Sequence, residues 1–360
     1  MNIRKILLLG PNVDMSIHGG IVTHMKLLNT LSNNDNFDFE IRTFTLGKRS
    51  FMGEKISLIK ILYSYLYYFN TLLFNKYDIV HINASMTNSS ILKNFIALLI
   101  GKLFFKKVVF QFHGGDPDNI KTFYTYFLKK IVHLSDVILV LTDEQATIGD
   151  YAKLSEQSKV KKIPNYMHVR DVDINSRKNL KDIHFLFLGR VIKEKGIFEI
   201  IDAVKKLSKK LKNFRVDVMG DGPELKKMRE MVENTGLNHF FVFHGFVTVG
   251  KDEIFRDSHI LLFPTWKEAF PYVALESMLF KMPMITTRVG ALSEIVDDGK
   301  NGFLINSRDV DALSDKMEYF LLNPQQIETF GEQSFEILEQ RYSAEIMKKT
   351  FTAIYNGVLE

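Results

Sequence analysis

Residues 185–220 read FLFLGRVIKEKGIFEIIDAVKKLSKKLKNFRVDVMG, and this stretch contains one complete strand–helix–strand unit. A short apolar run at Phe185–Leu188 ends at a glycine, an amphipathic pattern covers Ile197–Leu211, and a second apolar run covers Arg215–Met219. Short apolar runs predict buried strands, and the helical period between them predicts a crossover helix. The stretch therefore predicts two parallel strands joined by a helix.

The same alternation extends along the chain in both directions. In the first half, the predicted strands are Lys5–Leu9, Phe39–Thr45, Ile79–Ile82, Val108–Phe112, Val137–Leu141 and Val160–Ile163. The predicted helices between them are Ile21–Leu31, Ser57–Phe74, Ser89–Leu103, Lys121–His133 and Glu144–Lys153. After residue 220, we predict helices at Glu224–Asn234 and Val273–Phe280 and strands at Phe241–Phe243, Ile260–Phe263 and Met284–Thr286, followed by three helical stretches. Polar residues interrupt the rhythm at 166–181, so we expect two Rossmann-like α/β domains of doubly wound parallel sheets joined by a linker.

Composition narrows the class of protein. The chain has 360 residues, no cysteine and a net charge of +5. Disulfides and thiolate metal sites are excluded, and a reducing compartment such as the cytoplasm is expected. Residues 1–170 carry 21 Lys and Arg against 13 Asp and Glu, whereas the remainder carries 26 against 29. The basic half predicts an anionic partner; scattered lysines without a recognisable motif argue against nucleic acid and favour an anionic membrane surface.

Two segments of the basic half could contact a membrane. Ile56–Phe69 is rich in aromatic residues and has lysines within and beside it, and Ile91–Lys107 combines an apolar body with a basic end. Neither is a clean membrane span. Both could lie in a membrane interface at the inner face of the plasma membrane, or both could be core helices that cover the first sheet.

In doubly wound sheets, ligands bind beyond the carboxyl ends of the strands. In the first domain, Gly19 and Gly20 precede a predicted helix, where free amides and the helix dipole favour an anion; a plain flexible turn is the alternative. His113 follows the fourth strand and could donate a hydrogen bond to a sugar hydroxyl, or be an ordinary core histidine. No G-x-G-x-x-G follows the first strand, which argues against a dehydrogenase.

Two loops of the second domain carry complementary charges. Arg190 and Lys195 lie in one short loop after a strand, a pair suited to a diphosphate, although a solvated basic loop is the alternative. The segment WKEAFPYVALES at 266–277 places Glu268 before a helix and Glu276 on it. Carboxylates accept hydrogen bonds from adjacent sugar or ribose hydroxyls. Because the neighbours of Glu276 are apolar, we expect a partnered, buried carboxylate there rather than a solvent-facing one.

With these residues assembled, the chain resembles the retaining glycosyltransferases of family four in the GT-B superfamily. The resemblance rests on the two glutamates separated by seven residues, Glu268 and Glu276, and on the Gly-Arg…Lys-Gly loop. It extends to GDGPE at 220–224, FHGFV at 243–247 and PMITTRVGALSEIVDDGKNGFLI at 283–305. It implies two domains that face a cleft: an acceptor domain at 1–165, on which the C-terminal helix 343–360 packs back, and a donor domain at 182–342.

The resemblance also implies roles for individual residues. The diphosphate would be bound by Arg190 and Lys195, the ribose by Glu276, and the donor sugar by Glu268 and the following loop. The implied catalytic residues are His113, Arg190, Lys195 and Glu268. The implied donor site comprises Gly19, Gly20, Gly189, Arg190, Lys195, Phe246, Glu268, Ala269, Phe270, Pro271, Tyr272, Val273 and Glu276.

The chemistry implied is sugar transfer with retention, without a metal and without a cofactor other than a UDP- or GDP-type donor. The acceptor would be a saccharide, in many cases lipid-linked, for capsule, lipopolysaccharide or other surface polysaccharide. Ala269 and Ala291 stand where the family commonly has glycine, which leaves the identity of the sugar open. Alternatives with the same fold are a sugar-nucleotide 2-epimerase and a non-catalytic glycosyltransferase-like subunit.

Overall fold

The computed structural model describes residues 4–11, 20–32, 39–45, 58–115, 120–147, 159–174 and 180–360. The chain divides into two compact units. The first comprises Met1–His168 together with Ala344–Glu360, and the second comprises Val169–Ser343. The boundary between the units, at His168 and Val169, falls within the segment 166–181 that was expected to be a linker.

The first unit is built on a parallel six-stranded sheet with the order β2-β1-β3-β4-β5-β6. Its strands are β1 (Arg4–Gly10), β2 (Phe39–Thr45), β3 (Ile79–Met86), β4 (Lys107–Gly115), β5 (Val137–Val140) and β6 (Val160–Lys162). Its helices are α1 (Gly20–Ser32), α2 (Leu58–Phe74), α3 (Asn88–Leu103), α4 (Thr122–Leu134), α5 (Asp143–Ala146) and, at the end of the chain, α13 (Ala344–Leu359).

Helices cover both faces of this sheet. On one face, apolar side chains of α2, α3 and α4 pack with the strands, as shown by the fully buried Tyr68, Ala97 and Ile131. On the other face, α1 and α13 pack over Ile6, Leu8 and other strand residues. Burial on both faces explains why the strands read as continuous apolar runs in the sequence.

The second unit repeats the design with the strand order β12-β11-β10-β7-β8-β9, again in parallel pairs. Its strands are β7 (Ile183–Leu188), β8 (Phe214–Met219), β9 (Phe241–Gly245), β10 (Ile260–Phe263), β11 (Met284–Thr287) and β12 (Gly302–Ile305). Its helices are α6 (Ile197–Leu207), α7 (Leu225–Asn234), α8 (Lys251–Asp257), α9 (Tyr272–Leu279), α10 (Leu292–Ile295), α11 (Val310–Leu322) and α12 (Gln325–Tyr342). Two parallel sheets with helices confirm the predicted fold class.

The differences from the sequence prediction are local. Strand β12 and the short helices α8 and α10 were not predicted. The helix predicted at Glu144–Lys153 is a single turn at Asp143–Ala146, and residues 148–153 of that prediction lie outside the described residues. The helix predicted to reach Leu211 ends at Leu207, where the chain turns towards β8.

Sheet order also determines where the loops of the second unit meet. Strand β7 lies between β10 and β8, so the chain leaves β7 in one direction and returns on the other side at β10. Loops that follow two such strands diverge and leave a crevice at the carboxyl edge of the sheet. In this unit they are the loops that carry Arg190 and Glu268.

Candidate functional site

The loops after β7, β10 and β11 are tied together by hydrogen bonds. The backbone NH of Trp266 donates to the carbonyl of Glu194 at 2.8 Å, and the Thr265 hydroxyl donates to the same carbonyl at 3.1 Å. Thr287 in turn donates its hydroxyl to the carbonyl of Thr265 at 2.5 Å. Because Thr265 and Thr287 are fully buried, these bonds fix the three loops against one another.

Lys195 and Glu268 meet at this junction. The Lys195 ammonium donates a hydrogen bond to Oε2 of Glu268, and both side chains are about four-fifths buried. The same ammonium lies 4.9 Å from the centroid of the Phe263 ring at the end of β10. The structure thus brings together two residues that are 73 positions apart and that were predicted to act on the same donor.

A glycine forms the turn that delivers Lys195. Gly196 has φ of +73°, and a Cβ on it would lie 2.2 Å from the carbonyl oxygen of Pro264. Only glycine combines this backbone conformation with such a close approach. Gly196 therefore allows the Lys195 loop to lie directly on the loop that follows β10.

Arg190 has a different environment. It is exposed, and within the described part of the chain its guanidinium makes no hydrogen bond or ion pair. Gly189 before it has φ of +159°, and its backbone NH donates to the carbonyl of Met219 at 3.1 Å. The loop backbone is therefore anchored while the Arg190 fork remains available to an anion.

Glu276 lies on the second turn of α9 and is paired. Its Oε1 accepts a hydrogen bond from the Lys251 ammonium on α8 at 2.5 Å, and both side chains are about two-thirds or more buried. This agrees with the expectation of a partnered carboxylate. Sequence reasoning missed Lys251, because α8 was not predicted. Beside the pair, the hydroxyl of Tyr272 is buried without a hydrogen-bond partner in the described residues, and burial, with Glu276 adding to it, raises its pKa well above the usual value.

Most side chains of the loop that follows Glu268 point inwards. Phe270, Pro271 and Val273 are buried, and the Phe270 ring lies 5.6 Å from the ring of Tyr342. Such side chains position the loop, whereas Ala269 and Tyr272 are only partly buried. Pro271 precedes the first residue of α9, as its fixed φ favours at a helix start.

The Gly290-Ala291 pair supports this loop from behind. The Ala291 NH donates to the carbonyl of Ala269 at 2.8 Å, and Gly290 has φ of +49° with its Cα packed against the Glu268 carbonyl. Ala291 is fully buried. Its methyl group therefore packs inside the unit.

Phe246 follows β9 and is 55% exposed. The preceding Gly245 has φ of +67°, and its carbonyl accepts a hydrogen bond from the NH of Gly220 at 2.8 Å. Phe246 thus stands at the carboxyl edge of the second sheet, at the strand next but one to β7.

In the first unit, His113 lies at the carboxyl end of β4. Its Nε2 is 2.7 Å from Oδ1 of Asn83, whose amide donates to the Leu9 carbonyl at the end of β1. Its Nδ1 is buried without a hydrogen-bond partner in the described residues. Burial, reinforced by His24 and then His81, holds the pKa of His113 well below its usual value, so the ring is neutral.

Two further histidines lie beneath His113. The His24 ring on α1 is 4.4 Å from the His113 ring, and His81 on β3 lies between the hydroxyl of Tyr355 at 2.9 Å and Oε1 of Gln111 at 3.1 Å. Both rings are completely buried, and burial lowers the pKa of each to about 3. Sequence reasoning missed this cluster, because its members come from separate elements. Of the predicted glycines, Gly20 is the exposed first residue of α1, and Gly19 lies outside the described residues.

Comparison with known proteins identifies the site-bearing unit. Residues 170–336 match the family model described as glycosyl transferases group 1. The matched residues span almost the whole of the second unit.

Relatives and solved structures of this kind extend the comparison to the rest of the chain. An uncharacterised glycosyltransferase of Methanocaldococcus jannaschii is 31% identical over 67% of this chain and 65% of its own length. A capsular polysaccharide biosynthesis glycosyltransferase of Staphylococcus aureus is 27% identical over 48% of this chain and 46% of its own length. The alignments thus span less than two-thirds of either relative. The Anabaena protein HepE, solved in complex with UDP, has the same fold with a TM-score of 0.77 at 16% identity, covering 98% of this chain and 100% of its own. The two Rossmann-like units thus have the same fold as that structure.

The described residues also bear on metal binding and on membrane spanning. Among those residues, no group of three or more histidine or acidic side chains is placed to hold a metal ion. Within the same ranges, no helix has the length and hydropathy to cross a bilayer.

Proposed function

We propose that the protein transfers a sugar from a nucleotide-diphosphate donor, of the UDP or GDP type, to a saccharide acceptor with retention at the anomeric carbon and without a metal. The observation that carries this proposal is the junction at the carboxyl edge of the second sheet. The exposed Arg190 follows β7, and the Lys195–Glu268 pair joins the loops after β7 and β10. Glu276, with its partner Lys251, lies on α9, the helix that follows β10. HepE, which shares the fold, was solved with UDP, and this supports the choice of donor.

Donor binding would exchange the partners of Lys195. Its ammonium is paired with Glu268, and an arriving diphosphate would take that ammonium together with Arg190. The released Glu268 carboxylate could then accept hydrogen bonds from sugar hydroxyls. The transfer of Lys195 from Glu268 to the diphosphate would thus bind the phosphates and free Glu268 to bind the sugar.

Glu276 would accept the ribose hydroxyls while Lys251 balances its charge. Phe246 would contact the base, and the backbone of 269–272 together with the α9 N-terminus would face the phosphates and sugar. Charge that develops on the departing diphosphate would be stabilised by Arg190 and Lys195, the task that a metal performs elsewhere.

The residues of the first unit would serve the acceptor side. His113 is neutral, so it would act on the transferring sugar as a hydrogen-bonding group and not as a cation. In the proposed mechanism, the acceptor hydroxyl attacks from the side of the leaving group. A phosphate oxygen of that group takes the hydroxyl proton as the C–O bond to the diphosphate breaks.

We further propose that the acceptor is lipid-linked and that the enzyme works on surface polysaccharide from the cytoplasm, at the inner face of the plasma membrane. Two observations support this. One relative is named for capsular polysaccharide synthesis. The first half of the chain also carries the net positive charge that favours anionic lipid.

The test is donor turnover in variants of the β7 loop. Arg190→Ala and Lys195→Ala should each lower kcat/KM by about 10²- to 10³-fold, because each removes a charge that is stabilising mainly in the transition state. The matched control is Lys193→Ala in the same loop, whose ammonium lies over the Trp266 ring rather than on a carboxylate. Equal activity of all three variants would refute the assignment.

Product analysis separates the proposed reaction from its rivals. Proton NMR of the product should show the anomeric configuration of the donor. An epimerised nucleotide sugar formed without acceptor would instead indicate a 2-epimerase. Absence of turnover with every donor that raises the melting temperature would indicate a binding subunit.

A further inference from the structure

Helix α2 carries an apolar stripe on its outer face. Its inner face is anchored, since Tyr68 is fully buried and the Tyr65 hydroxyl donates to the Lys93 carbonyl on α3 at 2.8 Å. The opposite face exposes 55–79% of each of seven large apolar or aromatic residues: Ile59, Leu62, Tyr63, Leu66, Tyr67, Leu73 and Phe74. Steps of three and four between most of these positions place them along one side of the helix. The reading of α2 as a plain core helix is therefore wrong for this face.

The stripe continues onto the two neighbouring helices. α3 contacts both α2 and α4, and all three cover the same face of the first sheet. Their outer surface, which we call the α2–α4 surface, also exposes Ile96, Leu99, Leu103, Phe105, Phe123 and Tyr126. It holds thirteen of the seventeen exposed large hydrophobic residues found in the described part of the chain. Such a concentration marks a binding surface rather than ordinary surface scatter.

Only positive charge accompanies these residues. Helices α2, α3 and α4 together contain five lysines and not one aspartate or glutamate. Lys129 and Lys130 on α4 are exposed, and the Lys130 ammonium lies 5.7 Å from the Tyr126 ring centroid. The acid nearest in sequence to this layer on the α4 side, Asp136, accepts hydrogen bonds from Lys102 and from the NH of Val108.

This combination selects one kind of partner. Two copies of the chain meeting through this surface would bring lysines against lysines, which disfavours a symmetric dimer. A bilayer with anionic lipid supplies both an apolar layer for the aromatic and aliphatic side chains and negative charge for the lysines. Tyrosine and lysine beside leucine and phenylalanine are the residues that interfacial helices use.

We propose that the α2–α4 surface is a membrane-docking face that lies flat on anionic lipid, with α2 as its principal contact. The proposal rests on the proposed function only in that a lipid-linked acceptor would be reached there; the binding itself requires no donor and no transfer. The α2–α4 surface belongs to the first unit and includes none of the residues that would bind the donor.

The test is co-sedimentation of the full chain with vesicles of phosphatidylcholine containing 30% phosphatidylglycerol, and with vesicles of phosphatidylcholine alone. The wild-type protein should bind the anionic vesicles and release as salt is raised, because salt screens the lysines. Leu62→Ser combined with Leu66→Ser should lower the partition coefficient at least tenfold. The matched control is Leu322→Ser, on an equally exposed leucine of the second unit.

Charge is tested separately. Lys129→Gln combined with Lys130→Gln should weaken binding about fivefold for each lysine at low salt. Lys209→Gln combined with Lys226→Gln, on exposed lysines of the second unit, should leave binding unchanged. A wild-type protein that stays in the supernatant at low salt overturns the proposal. Vesicle binding that is unchanged in the α2 variants also overturns it, as does a concentration-dependent dimer that those variants abolish.

Donor turnover distinguishes this proposal from the proposed function. Circular dichroism and hydrolysis of the donor without acceptor should be unchanged in the α2 and α4 variants. If the wild-type protein binds vesicles but does not turn over a donor, the docking face is supported and the proposed function is refuted. If it turns over a donor but does not bind vesicles, the proposed function is supported and the docking face is refuted.

Discussion

The buried histidine cluster predicts that the first unit loses stability in mild acid. His24 and His81 have a folded-state pKa of about 3, against an ordinary value of 6.5, because both rings are buried. A base whose pKa is lowered on folding contributes stability that is fully present above its unfolded pKa. That stability is lost as pH falls from about 6.5 towards 3, where the unfolded chain takes up protons that the folded chain does not.

The size of the effect follows from the width of this window. Between pH 7.5 and 5.5, one such ring costs about 1.4 kcal/mol of unfolding free energy, and the two together about 3 kcal/mol. His113 acts in the same direction. The groups around the rings are Gln111, Asn83 and tyrosines, and among the described residues no carboxylate pairs with any of the three rings. No countercharge is therefore at hand to stabilise the protonated forms.

The assay is amide hydrogen exchange of peptides from β3 and β4 in increasing guanidinium, at pH 7.5 and pH 5.5. Fluorescence of Trp266, the one tryptophan of the chain, reports the second unit in the same samples. In His24→Phe, the difference in stability between the two pH values should shrink by about 1.4 kcal/mol. Because the difference is compared, any loss of packing in the variant cancels.

His133→Gln is the matched control, since that ring is exposed on α4. It should leave the pH difference of the first unit unchanged. An equal pH difference in wild type and His24→Phe would refute the claim that a buried neutral ring sets the acid sensitivity.

Three other outcomes are expected. Gly290→Ala should lower both donor affinity, measured by calorimetry, and stability, measured by Trp266-monitored unfolding, by more than about 1 kcal/mol, because its Cβ would lie 2.0 Å from the Glu268 carbonyl. The control is Gly299→Ala, which has φ of +79° and open space around it and should show only the cost of the backbone conformation. Glu276→Gln should weaken UDP or GDP binding about tenfold by loss of a charged acceptor, whereas Glu332→Gln, which removes the partner of Lys281, should not. Donor turnover should persist in excess EDTA, and complete loss that manganese restores would contradict metal independence.

Local patterns were enough to predict the fold class. Most strands of both sheets contain short apolar runs, and α6 shows a helical period, so these elements could be recognised within about ten residues. Strand β12, Gly302–Ile305, was not predicted, although β10 and β11, which also have four residues each, were. Its place beside β11 depends on pairing with residues 18 positions away, which a local pattern does not contain.

The candidate site was likewise predicted only in part. Glycines, charges and strand ends indicated the loops that carry Arg190, Lys195 and Glu268. Their pairing was not predictable, because it depends on β7 and β10 being neighbours across 75 residues of chain. Lys251 and Asn83 were missed for that reason, since each matters only through a contact with a distant element. The α2 stripe was ambiguous in sequence because an apolar residue looks the same whether it faces a sheet or solvent.

The pairing itself bears on how the donor site would work. Each of the two carboxylates that the proposed site would offer to hydroxyl groups has its own lysine, whereas the Arg190 guanidinium makes no hydrogen bond or ion pair within the described residues. A phosphate would have to compete with Glu268 for Lys195, and this competition would lower the affinity for any anion that brings no sugar. A full donor would regain the loss, because its hydroxyls would replace the ammonium on Glu268. The exchange would therefore favour the complete nucleotide sugar over the free nucleotide, and it would weaken the hold on the product once the sugar has left.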